Sequence, residues 1–180
     1  MSKVGKKPIA ISSAKIEIKG NTVFINGPKA KFVHEFPDSL KIVLKDNFII
    51  LSLEKVSGKN NALWGLHRAL LANKVKGAEE GFEKKVKIVG LGYKAKLVGK
   101  KINFSLGYSH KIDFQLPDGI EVKIDKLGQQ LVFTSPDKLL LGNVCDSVKS
   151  LRLPEPYKGT GIIVEGDVVI RKAGKTKSAG

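Results

Sequence analysis

Apolar and polar residues alternate from the start of the ordered pattern. Ala14-Lys15-Ile16-Glu17-Ile18-Lys19 puts an apolar side chain at every second position, as a half-buried strand requires. Gly20-Asn21 turns the chain into Thr22–Asn26, which predicts a hairpin. A further strand is expected over 31–36, then a second hairpin from 41–45 and 48–53 about a turn at Asp46-Asn47. The period then changes. Leu63, Leu66, His67 and Leu70 fall at i, i+3, i+4 and i+7, one face of a helix that Asn60 or Asn61 can cap and Gly77 can end. A second series of strands comes next, over 84–89, 93–98, 101–106, 111–115, 120–124 and 130–134. Ser135-Pro136-Asp137 then opens a second helix, with Ser135 as cap and Pro136 in the first turn. Its predicted apolar face is Leu141, Val144, Cys145 and Val148.

The two series repeat one another. Gly27 and Gly107, Pro37 and Pro117, Asp38 and Asp118, Leu40 and Ile120, Ile42 and Val122, Leu44 and Ile124, and Leu51 and Leu131 each stand 80 positions apart. The helices align at 78, Leu63 with Leu141 and Leu66 with Val144. The expected fold is α+β: two duplicated domains, each an antiparallel β-sheet with one α-helix packed on a face. The expected bounds are 1–81, 82–170 and a basic tail over 171–180.

Charge changes the picture from fold to partner. Thirty-two Lys and Arg stand against 17 Asp and Glu, a net +15. That surplus suits a polyphosphate backbone or an anionic membrane surface. No apolar run approaches the ~20 residues of a spanning helix, so no membrane role is expected. The N-terminus has lysines but no apolar core, so no signal peptide is expected either. The single Cys145 excludes an internal disulfide and fits a reducing compartment. Seven lysines lie between Lys84 and Lys101 without one acid, and the tail carries Arg171, Lys172, Lys175 and Lys177 among Gly, Ala and Ser. The tail is expected to be disordered until it meets a partner.

Several stretches invite chemistry. Gly90-Leu91-Gly92 after an apolar strand suggests a dinucleotide loop. Such a loop needs a helix next, but residues 96–102 alternate like a strand. A bend between strands is the better reading. Cys145 with His110 as base is the one nucleophile pairing on offer, and Cys145 falls on an apolar helix face. His34, His67 and His110 lack metal spacing, and His67 reads as a core or domain-interface histidine. Leu106-Gly107-Tyr108-Ser109-His110-Lys111 is either an ordinary turn with a half-buried tyrosine or an RNA contact. Leu153-Pro154-Glu155-Pro156-Tyr157-Lys158-Gly159-Thr160-Gly161-Ile162 is either a structured turn or a binding segment. Its prolines hold the chain extended, its glycines allow close approach, and Tyr157 and Lys158 offer a ring and a cation. The neighbouring lysines favour RNA in both cases.

On these residues the chain resembles the bacterial-type large-ribosomal-subunit protein L-six family. The resemblance is carried by 154–162, by Leu106-Gly107-Tyr108-Ser109-His110, by Gly65-Leu66-His67-Arg68-Ala69-Leu70-Leu71, by Arg171-Lys172-Ala173-Gly174-Lys175, by Val4-Gly5-Lys6-Lys7-Pro8-Ile9 and by the duplication. It implies a non-enzymatic structural role in the cytoplasmic ribosome, without cofactor, metal or catalytic residue. It implies binding of 23S-type large-subunit rRNA near the sarcin–ricin loop and stalk base, beside neighbouring large-subunit proteins, where translation factors act. Lys94, Lys96, Lys158, Arg171, Lys172, Lys175 and Lys177 are then expected to neutralise phosphates. Tyr93, Tyr108 and Tyr157 are expected to pack on sugars or bases, Ser109 and His110 to hydrogen-bond the RNA backbone, and Gly159 to let the chain come close. Thr160 stands where the family has Lys, and Ile163-Val164 replaces a more basic, aromatic sequel, so phosphate contact there is expected to weaken or to move to the tail. Two rivals remain: an enzyme with a basic groove, for which no nucleophile, metal set or cofactor loop stands up, and a free-standing nucleic-acid chaperone, which sedimentation would separate.

Overall fold

A computed structural model describes residues 2–45, 47–53 and 57–174. The chain divides into a first unit that reaches Phe82 and includes Pro136–Lys138, and a second made of Glu83–Ser135 and the chain from Leu139 onward.

In the first unit the alternating stretches become β1 (Ile9–Ala10), β2 (Lys15–Lys19), β3 (Thr22–Asn26), β4 (Lys31–Glu35), β5 (Leu40–Lys45) and β6 (Phe48–Leu53), followed by α1 (Gly58–Glu79). They form two three-stranded antiparallel sheets, β2-β3-β4 and β1-β6-β5. Lys19 pairs with Thr22, so Gly20-Asn21 is a two-residue hairpin loop, with Gly20 at φ +59° as such loops demand. Inward positions of the strands (Val23, Ile25, Ile49 and Leu51) meet Trp64, Leu71, Val75 and Ala78 of α1 in one core. Each large apolar side chain buried there stabilises by about 1.5–3 kcal/mol. The Trp64 Nε1–H donates to the Leu51 carbonyl at 3.0 Å, so the indole is buried without an orphaned donor. Glu79, at the far end of α1, accepts the backbone N–H groups of Ser12, Ser13 and Ala14 and ties down the approach to β2.

The helix departs from the sequence reading in its face and its ends. Leu66 and Leu70 are 51% and 41% exposed; the buried stripe is Trp64, Leu71, Val75 and Ala78, with His67 half-buried. The apolar residues of α1 run around the helix, so period alone did not single out one face. Ser57, not Asn60 or Asn61, is the cap: its backbone is extended and its Oγ accepts the Asn60 N–H. Gly77 is buried inside the helix. The stop comes at Gly81, whose φ of +78° lets the chain reverse while its N–H still donates to the Lys76 carbonyl.

The second unit holds β7 (Phe82–Val89), β8 (Lys94–Val98), β9 (Lys101–Ser105), β10 (Ile112–Gln115), β11 (Glu121–Ile124), β12 (Gln130–Ser135), α2 (Lys138–Ser150) and β13 (Gly161–Val164). One sheet is β8-β9-β10, the other β11-β12-β7-β13. Val98 pairs with Lys101 about Gly99-Lys100, with Gly99 at φ +61°, the same two-residue turn as in the first unit. Leu141, Val144, Cys145 and Val148 of α2 are buried as the spacing predicts, together with Val86, Ile88, Leu131, Phe133, Ile162 and Val164 from the four-stranded sheet. The helix starts at Lys138. Ser135 is the last residue of β12, and Pro136 precedes the helix rather than standing in its first turn. The short strands β1 and β13 were not foreseen.

Register refines the repeat. Ile42 faces Leu51, and its counterpart Val122 faces Phe133, so Leu51 corresponds to Phe133 and not to Leu131. A longer turn between β11 and β12 absorbs the two-residue difference, and an even slip leaves the buried face unchanged. Burial likewise aligns Trp64 with Leu141 and Leu71 with Val148, a shift of 77 (141 − 64) instead of 78.

Candidate nucleic-acid interface

Alternation along β8 buries Ala95 and leaves Lys94 and Lys96 exposed on the opposite face. Register sets Lys94 beside Ser105 and Lys96 beside Asn103, with Asp113 one strand further on. Lys100, also in the lysine run, is committed elsewhere: its Nζ lies 2.9 Å from Asp118 Oδ1, which raises the Lys100 pKa and lowers that of Asp118.

The Gly90-Leu91-Gly92 stretch is a bend between β7 and β8, as its sequel predicts, and no helix comes after it. Its function is to seat Tyr93. A Cβ at Gly90 would come within 2.5 Å of the Tyr93 ring, and one at Gly107 within 2.8 Å. Both glycines therefore press backbone against that ring, and Gly107 is further fixed by φ +78°. The turn after Leu106 then presents Tyr108, whose hydroxyl donates to the Leu151 carbonyl at 3.2 Å and whose ring stacks near His110 at 6.0 Å between centroids. Over the Tyr108 ring lies the Arg152 guanidinium, 4.8 Å from the centroid. Ser109 and His110 are exposed beside it. Arg152 was missed by sequence reasoning. Its one available signal was its place between the end of α2 and the Pro-Glu-Pro-Tyr run.

Arg152 also begins the next element. The Ile162 N–H donates to the Arg152 carbonyl at 2.9 Å, closing 152–162 into a loop. Inside it the Glu155 N–H donates to the Thr160 carbonyl, and the Gly159 N–H to the Glu155 carbonyl, each at 2.9 Å. Thr160 Oγ donates to the Glu155 carboxylate at 3.1 Å, so it braces the loop. Gly159, at φ +71°, lies under Arg171: a Cβ there would meet the guanidinium at 3.0 Å. The Lys172 N–H donates to the Pro156 carbonyl at 2.8 Å, laying the chain after β13 back along the loop. Asp167 anchors its start, bonded to Lys149 at 2.8 Å and accepting the Val164 N–H; the Lys149 contact holds its pKa below the ordinary carboxylate value. Tyr157, 55% exposed, and Lys158 project from the loop without a protein partner among the described residues.

The structure thus brings Tyr93, Tyr108 and His110 together about Arg152, and Tyr157, Lys158, Gly159, Arg171 and Lys172 together on the adjoining loop. Lys94 and Lys96 stand on the strand that leaves Tyr93. Lys175 and Lys177 lie outside the described residues. The arrangement offers exposed cations and the exposed rings of Tyr108 and Tyr157, which suits phosphate and sugar contact. Cys145 is buried, and desolvation pushes its thiol pKa up, the reverse of an activated nucleophile. Among the described residues no group of three or more His, Cys, Asp or Glu is placed to hold a metal, and no helix is long and apolar enough to cross a membrane.

Comparison with known proteins adds the family. The model of the family described as ribosomal protein L6 matches residues 12–81 and 89–165. Similar curated proteins are named large ribosomal subunit protein uL6. That of Methylacidiphilum infernorum is 42% identical over 177 residues, 98% of each chain. That of Persephonella marina is 40% identical over 179 residues, again 98% of each, and that of Syntrophomonas wolfei is 39% identical over 176.

Proposed function

This chain belongs to the ribosomal protein L6 family, and on that premise we propose that it binds large-subunit rRNA near the sarcin–ricin loop and the stalk base. It is a ribosomal protein of the large subunit, and its family is not one of enzymes. In this reading the region 82–170 and the tail 171–180 hold RNA, supporting the surface where translation factors act. The region 1–81 braces the assembly against neighbouring large-subunit proteins.

The observation that carries the reading is the gathering of uncompensated cations on one loop system. Lys158 projects from a rigid loop, Arg171 and Lys172 are folded back onto it, and no ion pair among the described residues takes any of the three; Asp167 is paired with Lys149, while Glu155, bonded to the neutral Thr160 hydroxyl, keeps its charge. Each phosphate neutralised by such a cation releases counterions, so affinity falls with salt by a slope of about 0.7–0.9 per contact. A protein lacking 171–180, titrated with large-subunit rRNA over a potassium chloride series, is expected to bind more weakly and with a shallower slope. An unchanged slope would remove the tail from the interface.

A further inference from the structure

We propose that Arg152 is a prearranged phosphate-binding group of this interface, and that Tyr108 and Tyr93 act on RNA by seating it rather than by stacking on bases. The proposal rests on the RNA-binding reading above and names the contact group within it.

Arg152 carries a charge that nothing offsets. Lys100 is paired with Asp118 and Lys149 with Asp167, but no carboxylate among the described residues meets Arg152. A cation without a counter-ion attracts an anion. It is also held still. Its carbonyl accepts the Ile162 N–H, its N–H donates to the Lys149 carbonyl at 3.3 Å, and its guanidinium rests over Tyr108, itself fixed through its hydroxyl to Leu151. The Tyr108 and Tyr93 side chains lie beside the guanidinium, which is charged at any physiological pH. A guanidinium over an aromatic face keeps N–H donors for a second partner, and the fork geometry of those donors matches two oxygens of a phosphate. Ordering the side chain before RNA arrives lowers the entropic cost of binding.

The tyrosines, by contrast, are already occupied. The Tyr93 ring meets the backbone of Gly90 and Gly107, and the Tyr108 ring meets Arg152 and His110. Of the three tyrosines expected to pack on nucleotides, Tyr157 is the most open, 55% exposed, whereas Tyr108, 42% exposed, already carries Arg152 on its ring. The arginine also stands where the two parts of the interface join, since its backbone closes the loop that bears Lys158.

The test uses the full-length chain and deproteinised large-subunit rRNA, with small-subunit rRNA as competitor, titrated over a potassium chloride series. The wild type must prefer large-subunit rRNA; without that preference the RNA-binding reading itself fails, and the proposal with it. Given the preference, Arg152→Ala is expected to bind about tenfold more weakly with a slope shallower by about 0.7–0.9. Arg152→Lys should keep the slope yet lose about threefold in affinity, because an ammonium lacks the fork. Tyr108→Phe, which keeps the ring but loses the bond to Leu151, should fall between wild type and Arg152→Ala, whereas Tyr108→Leu should fall toward Arg152→Ala, and the double variant of Tyr108→Leu with Arg152→Ala should be no weaker than Arg152→Ala alone. If thermal melts show Arg152→Ala unfolded, Arg152→Gln carries the same expectations. Wild-type affinity and slope in the folded arginine variant would overturn the proposal. So would losses that multiply in the double variant, because Tyr108 would then touch RNA independently.

Discussion

His34 is 6% exposed, and its Nε2 lies 3.1 Å from His67 Nδ1, so an N–H of one imidazole donates to the other ring's bare nitrogen. Burial, then Lys74 and His67, lower the His34 pKa from 6.5 to about 4. Above pH 6.5 the imidazole is neutral folded or unfolded, and stability is complete. Between pH 6.5 and about 4 only the unfolded chain takes up the proton, so stability falls, by an amount on the order of 3 kcal/mol across the window. Urea midpoints measured from pH 8 to pH 4 should show this loss for the wild type and a flatter curve for His34→Leu. Gly107 makes a second demand at this scale. A methyl group there would meet the Tyr93 ring in a backbone conformation already at φ +78°. Gly107→Ala should therefore cost about 1–3 kcal/mol and weaken RNA binding, both readable from a melt and a titration of the same sample. Gly107 and Tyr108 were visible in the sequence as an unusual cluster. The His34–His67 pair and Arg152 over Tyr108 were not, because each joins residues 33 or more positions apart and neither partner is unusual where it stands.

Elements were legible where one face alone is apolar. Most strands keep to period two, although β6 is apolar on its exposed face too, at Phe48 and Ile50, and α2 buries the four residues its spacing names, because its remaining positions are mostly polar or glycine. In α1, leucines occur on several sides, and the stripe is chosen by what packs on it: Trp64 under Leu51 and Arg68 reaching the Lys7 and Pro8 carbonyls. A pair of substitutions separates the two faces. Leu66→Lys should leave the melting temperature nearly unchanged. Leu71→Ala, at a fully buried position, should cost about 2–5 kcal/mol. Equal losses would restore the face that periodicity suggested. The strands β1 and β13 were illegible for another reason: two and four residues are too short to display a period, and each is fixed by the strand it joins. The edge of β13 is closed as well, its N–H groups at Ile162 and Val164 taken by Arg152 and Asp167, which guards an apolar strand against stray pairing.

At the scale of the whole molecule, the duplication was readable because insertions change register without changing which face is apolar. Charge was less informative about place: the sequence carries net +7 over 1–81 and +8 over 82–180. What the structure adds is pairing, which depends on three-dimensional neighbours and so is hidden in composition. Lys100 and Lys149 are spoken for, whereas Lys158 and Arg152 are not. The central claim is therefore one of location, and directed cleavage tests it most directly. A chain with Cys145→Ala and Lys158→Cys, carrying an iron chelate on the new thiol, is assembled into large subunits, and the rRNA cuts are mapped. Cuts are expected to cluster about the sarcin–ricin loop and the stalk base, with few there when the chelate is placed instead at Lys15→Cys in β2. Cuts at those sites from Lys15→Cys and none from Lys158→Cys would contradict the assignment.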